Sequence, residues 1–171
     1  MPTQEYALMM ARYNLWQNKN LVEVTDSLSD AERQEERGAF FGSIQKTFSH
    51  IFWADQIWLS RFIGTAGPTA SISDSVNLIQ NWEDFRSQRL SFDQSILNWA
   101  QNVKPSWFAG DLTWVSGVTQ KQMNKPKNAL VVQLFNHQTH HRGQIHAMLT
   151  AAGAKPGATD LPFMPEDFLK I

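Results

Sequence analysis

Four long stretches of this 171-residue chain carry apolar side chains at the three- and four-residue spacing of an α-helix. They cover about residues 5–25, 40–62, 74–102 and 127–152. The second and the fourth stop just before a glycine, which is a common residue beyond a helix C-terminus. Such helices bury their apolar faces against one another, so the sequence predicts an all-α protein, a four-helix bundle formed as a single domain over residues 1–171.

The segments between these helices carry turn and breaker residues. In 103–128, Leu112 to Val115 precede a Ser-Gly pair, which predicts a short hairpin or an irregular excursion before the last helix. Ser29 and Glu32 have the spacing of a capping box, which favours a short helical piece after them. The tail, 155–171, holds three of the seven prolines and is expected to be mostly irregular.

Four of the five histidines lie within ten residues of the last helix. At about 100° per residue, His141 falls inside the apolar sector of that helix and His137 at its edge. His140 lies to one side, where it would flank the inward pair or touch another subunit, and His146 lies nearly opposite and is expected in solvent. The helical pattern therefore selects His137 and His141 as the inward-facing pair.

His50, in the second predicted helix, is the remaining histidine and the natural third member of the set. Neutral imidazole is the commonest protein ligand for zinc and similar metals, so His50, His137 and His141 form a candidate three-histidine site. A pair of histidines four apart also arises by chance, and the alternatives are hydrogen-bonded core histidines or crowded surface histidines. The helical pattern and the spare histidine together favour the metal site.

Other conspicuous residues are expected to be structural. The seven tryptophans are expected in the core and at helix interfaces rather than in a ligand cage. Asp55 is expected to be a capping, paired or solvated carboxylate. Gln144 is expected either to hydrogen-bond a ligand or substrate or to join two helices. Arg142 is expected to form an ion pair or an interface contact.

Charge and composition exclude several classes of function. The net charge of −1 gives no reason to expect a nucleic-acid or membrane-surface partner. No apolar run approaches the roughly 18 residues of a membrane span, and the N-terminus has no signal-like core, so a cytoplasmic location is expected. The absence of cysteine excludes disulfides, a thiolate nucleophile and a cysteine-ligated metal. Any thiol chemistry would therefore need a thiol brought by a substrate.

The segment from His137 to Ile145 resembles the C-terminal helix motif of the DinB/YfiT-like family of metalloenzymes. The resemblance extends to 13–18, to 50–55 and to the Gly117-containing excursion, in the same order and at the same spacing. It implies a four-helix bundle, often homodimeric, that holds a divalent metal (nickel, zinc or iron) by three histidines. Carried over by position, these are His50, His137 and His141. Characterised relatives include thiol-dependent S-transferases and an isomerase that uses a small-thiol cofactor.

Three protein nitrogens leave a coordination position open, which is the mark of a catalytic rather than a closed structural site. We therefore expect a divalent-metal-dependent enzyme acting on a small molecule, with a thiol-dependent S-transferase as the first hypothesis and a small thiol as cosubstrate. The alternatives are a metal-dependent hydrolase and a non-catalytic metal- or small-ligand-binding stress protein. The sequence identifies no general base and no other catalytic residue.

Overall fold

Most of the chain is helical, and the helices are joined by turns, loops and one small sheet. The computed structural model describes residues 1–170. Its helices are α1 Gln4–Thr25, α2 Asp30–Gln34, α3 Ile44–Ile63, α4 Trp82–Asn102, α5 Lys127–Ala151 and α6 Glu166–Lys170. Its two strands are β1 Asp111–Val115 and β2 Gln122–Pro126. The predicted predominance of helix is confirmed, and the predicted hairpin forms immediately before α5.

Side-chain caps define where the helices begin. The hydroxyls of Thr3 and Ser43 accept hydrogen bonds from backbone N–H groups in the first turns of α1 and α3, and the Asn81 side chain does the same for α4. These bonds satisfy N–H groups that have no partner inside the helix. The capping box predicted for Ser29 and Glu32 is present at α2. The starts of α1 to α4 are therefore specified by local side chains, whereas α5 begins after Pro126 without a side-chain cap.

The helix α3 begins four residues later than the sequence predicts, at Ile44 rather than at residue 40. Gly38 and Gly42 both have positive φ, 71° and 81°, and a single β-bridge joins Ala39 to Gly42. Glycine adopts this left-handed backbone without steric cost, so the chain turns here instead of entering the helix. The turn leaves Phe41 outside α3, and its ring lies over the histidine cluster described below.

The helix α4 also begins later than predicted, at Trp82 rather than near residue 74. Residues 75–77 form one 3-10 turn, and this turn docks on α3. The Ser49 hydroxyl donates to the carbonyl of Ser75 at 2.7 Å and accepts from the N–H of Leu78 at 2.8 Å. These tertiary bonds occupy backbone groups that a continuous helix would use, which is why the helix does not extend through them.

The long helices enclose two separate apolar clusters. α1 contacts α4 and α5, and α3 contacts α5. One cluster includes Ile96, Leu134 and Phe135, and the other includes Leu21, Ile51 and Leu149. On each long helix the residues of these two clusters are separated by buried polar side chains. The interior therefore has an apolar layer at each end and a polar layer between them.

The hairpin and the tail complete the described chain. β1 and β2 pair antiparallel, with Asp111 opposite Pro126 and Trp114 opposite Met123. The tail is mostly irregular, as predicted, except for a 3-10 turn at Leu161–Phe163 and the five-residue α6. Within residues 1–170, no helix combines the length and the apolar character that a membrane crossing requires.

Candidate metal centre

Three histidines from two helices meet beside the polar layer. His50 projects from α3, and His137 and His141 project from adjacent turns of α5. The Nε2 atom of His137 lies 3.3 Å from Nε2 of His50 and 3.2 Å from Nε2 of His141. One ring nitrogen from each residue falls within 4.8 Å of both others. The structure thus brings together the three residues that the sequence selects.

A serine outside α3 sets the tautomer of His50. The Nδ1 atom of His50 lies 2.9 Å from the Ser75 hydroxyl oxygen, and that hydroxyl donates its own proton to the carbonyl of Ile72 at 2.7 Å. The hydroxyl must therefore accept from Nδ1–H of His50. A neutral imidazole carries only one N–H, so the lone pair of His50 is on Nε2, which faces the other two histidines.

Gln144 has the same role for His141. Its Oε1 atom lies 2.8 Å from Nδ1 of His141, one helical turn away, and its Nε2 atom lies 3.4 Å from Nε2 of His140. The amide oxygen is an acceptor only, so Nδ1 of His141 carries the proton and its Nε2 atom has the free lone pair. Hydrogen bonds of this kind orient metal-binding histidines and raise their basicity.

The spacing of the three nitrogens is compatible with one divalent ion. Two ligands on a tetrahedral ion with metal–nitrogen bonds of about 2.05 Å are about 3.3 Å apart. The distances from His137 to its two neighbours are 3.3 Å and 3.2 Å. Since the Nε2 atoms of His50 and His141 are both acceptors, one proton on His137 could satisfy only one of them. A cation between the rings would satisfy all three.

Burial keeps the cluster neutral. Desolvation is the main cause that lowers the pKa of His50 to about 4 and that of His137 to about 3, and the neighbouring imidazoles lower both further. Desolvation also lowers the pKa of His141, against the opposing effect of its hydrogen bond to Gln144. Neutral imidazole is the form that binds metals, so all three rings are ready to bind near pH 7.

Two surfaces flank the cluster. On one side the ring of Phe41 lies with its centroid 4.1 Å from that of His50 and 5.3 Å from that of His141. On the other side, His50 and His137 line a cleft of about 720 Å³ between α3, α5, the hairpin and residues 70–73. The cluster is therefore covered by an aromatic ring on one face and reachable by a small molecule from the other.

The polar layer beside the cluster is a fully buried network. Arg89 on α4 pairs with Asp55 on α3 at 2.8 Å and with Asp93 on its own helix at 2.6 Å. Gln138 donates to the free side of Asp55 at 2.9 Å, and Asn14 and Asn18 of α1 donate to Asp93. Burial raises the pKa of both carboxyl groups, and the charge of Arg89 opposes that rise. The network joins all four long helices.

The remaining predictions have mixed outcomes. Asp55 is paired with Arg89, which is one of the roles expected for it. Gln144 hydrogen-bonds His141, a candidate metal ligand, which is the first of the two roles expected for it. Arg142 is buried, hydrogen-bonded to Asn14 and Thr139 and stacked on Tyr13, so it is a helix-joining residue. His140 flanks the cluster as expected, on the exposed side of His141.

One expectation is wrong, and another holds only in part. His146 is partly buried, with its Nε2 atom 3.1 Å from the carbonyl of Gly157, because the tail folds back over α5. Trp82 and Trp99 lie in the core and Trp58 and Trp114 pack against it, as expected, but the latter two also line the cleft together with Trp53. The sequence could not place Trp114 in a cleft because the docking of the hairpin decides which face of its strands is covered.

Three residues that matter at the site were missed: Phe41, Ser75 and Gln138. Gln138 carried a usable signal, since it lies one turn from Leu134 and from His141, inside the apolar sector of α5. A buried polar residue in that sector needs a partner, here Asp55. Phe41 and Ser75 fell inside predicted helices but lie outside α3 and α4, so the periodic pattern gave no guide to their positions.

Comparison with known proteins gives the same assignment for nearly the whole chain. The model of the DinB family matches residues 1–167. The protein named Protein DinB from Bacillus subtilis (strain 168) is 24% identical over an alignment of 171 positions, gaps included. The alignment covers 91% of this chain and 91% of that protein. The match includes every helix and strand that positions the three histidines. On this evidence the chain belongs to the DinB family.

Proposed function

We propose that this protein is a divalent-metal-dependent transferase that joins a small thiol to an electrophilic acceptor. The observation that carries the proposal is the position of the three histidines. Their Nε2 atoms converge at a wall of the 720 Å³ cleft. Three nitrogen ligands leave room for a further ligand, which can be a substrate atom. Nickel, zinc and iron all accept such ligands.

The bound metal would supply Lewis acidity, which lowers the pKa of a coordinated thiol or water. The residues of the chain would do the rest. His50, His137 and His141 hold the ion, and the hydrogen bonds from Ser75 and Gln144 keep their rings oriented. Phe41 and the tryptophans of the cleft exclude bulk water and give an acceptor molecule apolar surfaces to pack against.

The composition supports a thiol from outside. The chain has no cysteine, so its own side chains cannot act as the sulfur nucleophile. The described residues around the cleft likewise offer no aspartate or glutamate as a general base. A thiol whose proton is already acidified needs no such base, whereas water, a weaker acid, depends on one more strongly. This difference favours transfer from a thiol over hydrolysis.

The experiment combines metal analysis with an assay. Protein purified without a histidine tag or chelator is expected to contain about one equivalent of metal by elemental analysis, and the His50→Ala, His137→Ala and His141→Ala variants are expected to contain none. The loaded protein is then mixed with small thiols and a chlorinated or epoxide acceptor, and thioether is measured by mass spectrometry. Products that carry a hydroxyl group from water in place of the thiol would identify a hydrolase. A metal-free wild type that takes up none of the three metals would overturn the proposal.

We also propose that the four long helices form a single bundle domain of the DinB/YfiT type that acts as a homodimer on a small-molecule substrate in the cytoplasm. The contacts of α1 with α4 and α5, and of α3 with α5, support the bundle. Sedimentation equilibrium tests the dimer, since a monomer mass of 19.5 kDa at all concentrations would exclude it.

A further inference from the structure

The cleft is lined by a second functional group, the guanidinium of Arg61, at the end away from the histidines. Arg61 lies on the same face of α3 as His50, eleven residues further along. At about 1.5 Å per residue, the two Cα atoms are about 16 Å apart along the helix axis. Side chains on a helix lean toward its N-terminus, and the guanidinium of Arg61 lies over the ring of Trp58, which is three residues closer to His50 in α3.

The guanidinium of Arg61 stacks on aromatic rings and has no anionic partner among the residues that the structure describes. Its central carbon lies 4.8 Å from the ring centroid of Trp58 and 5.3 Å from that of Trp114. Nowhere in residues 1–170 does a carboxylate lie within 4.0 Å of it, and no hydrogen bond from its five N–H groups forms. By contrast, Arg33, Arg37, Arg86, Arg89 and Arg142 all have oxygen partners.

The surroundings of Arg61 favour an anion. The guanidinium is partly buried, and desolvation lowers its pKa, yet it remains the charged form at neutral pH. No aspartate, glutamate or lysine lines the cleft. Apart from the two neutral histidines, its polar lining side chains include hydroxyls and amides such as those of Ser73, Ser116 and Gln120. A charged group that lacks both full hydration and a partner gains more from an incoming anion than an exposed one does.

We propose that Arg61 is a specificity-determining residue that binds the carboxylate or similar anionic group of an elongated, apolar substrate. The body of that substrate packs against Trp53, Trp58 and Trp114, and its other end reaches the histidine cluster. The substrate class is therefore an aryl or alkyl acid. The assignment of the reactive end rests on the proposed function, but binding of the anion does not.

The test compares an acid with its neutral amide. 6-Phenylhexanoate and 6-phenylhexanamide have the same apolar body and differ in charge at one end. Their Kd values are measured by ligand-observed NMR titration on the protein as purified and again after chelation. We expect the wild type to bind the acid about tenfold more tightly than the amide, which corresponds to one charge-assisted contact. Arg61→Gln is expected to lose this preference and to keep its affinity for the amide.

The control variant is Arg86→Gln, which removes the same charge from α4, where Arg86 pairs with Asp26 and does not line the cleft. It is expected to keep the preference for the acid, and Arg61→Lys is expected to keep part of it. Unchanged binding of the amide shows that the cleft of Arg61→Gln is intact. Equal binding of acid and amide by the wild type, no binding of the acid, or an undiminished preference in Arg61→Gln would each overturn the proposal.

The two proposals fail in different ways. If the preference for the acid disappears on chelation, the anion binds the metal rather than Arg61, and this inference is wrong while the metal site stands. If the preference persists in protein that never takes up metal, the assignment of Arg61 holds and the proposed enzymatic function fails.

Discussion

Asp55 and Gln138 join the two helices that carry the histidines. The Nε2 atom of Gln138 donates to Oδ1 of Asp55 at 2.9 Å, and both side chains are fully buried. Gln138 follows His137 directly in α5, and Asp55 lies five residues after His50 in α3. A bond at this point sets the distance between the helices, and hence the separation of His50 from His137. The polar layer therefore controls the geometry of the site without touching it.

Arg89 is expected to dominate the stability of this layer. The Arg89→Met variant would leave Asp55 and Asp93 buried without their shared partner, at a cost of about 3–5 kcal/mol in the free energy of unfolding. Urea denaturation measures it. The Arg86→Met control, which breaks the partly exposed pairs with Asp26 and Glu83, is expected to cost about 1 kcal/mol or less.

The cost of Arg89→Met is also expected to depend on pH. Burial already raises the pKa of both carboxyl groups, and removal of the arginine raises it further. A folded state that takes up protons more readily than the unfolded state gains stability as the pH falls. The destabilisation is therefore expected to be smaller at pH 5 than at pH 8. An equal loss at both values would show that neither carboxylate becomes protonated.

Ser75 and Gln144 are expected to tune metal affinity. Ser75→Ala and Gln144→Ala each remove the acceptor that orients a ring, and such losses typically weaken metal binding by about 10–100-fold. Competition with a chromogenic chelator measures the change. Ser95→Ala, an exposed serine of α4, is the matched control and should leave the affinity unaltered. Wild-type affinity in both test variants would mean that the rings are held by packing alone.

Phe41 is expected to slow the escape of the metal. Its ring covers His50 and His141, so Phe41→Ala should open this face to water and chelator. We expect the rate of metal loss to excess EDTA to rise about tenfold, equivalent to about 1.4 kcal/mol in the barrier. Phe163→Ala provides the control, since Phe163 is an equally large aromatic residue that is 66% exposed in the tail. Equal rates in Phe41→Ala and the wild type would exclude a covering role.

Protein from which a chelator has removed the metal is expected to lose stability in mild acid. His50 and His137 have folded-state pKa values of about 4 and about 3, below the ordinary value of 6.5. Between about pH 6.5 and the folded-state pKa, the unfolded chain binds protons that the folded chain does not. The free energy of unfolding is therefore greatest above about pH 6.5 and falls as the pH drops toward about 4. Each ring contributes a slope of up to about 1.4 kcal/mol per pH unit.

Urea denaturation from pH 5 to pH 8 tests this dependence. The double variant His50→Gln/His137→Gln lacks both titrating rings and is expected to show a flatter profile over the same range. If the profiles of wild type and double variant coincide, the two histidines are not the groups responsible.

Much of the architecture was predictable because it rests on local signals. Helical periodicity located the four long helices, the Ser29–Glu32 box marked α2, and a Ser-Gly turn marked the hairpin. The same periodicity separated His137 and His141 from His140 and His146, since a helix fixes which residues share a face. His50 was predicted as the third ligand because it is the one histidine outside the last helix.

The starts of α3 and α4 were wrong by several residues for reasons that are not local in sequence. The chain turns at Gly38 and Gly42, and Ser49 captures the backbone of 75–78. Both deviations bear on the site, because one places Phe41 over the rings and the other delivers Ser75 to His50. Periodicity describes only the face of a regular helix, so it carries no information on these segments.

The sequence alone therefore determined the helices, the face that each histidine takes on its helix, and the absence of any cysteine. Only the tertiary structure decided that three Nε2 atoms converge and that a buried bond from Gln138 to Asp55 joins α5 to α3. It also decided that Arg61, which has no carboxylate partner within residues 1–170, faces the same cleft as His50. The physical reason is that the angle of a residue on its helix is set by the backbone geometry of that helix. Distances between helices are set by packing and by buried polar pairs whose partners lie 34 to 128 residues apart.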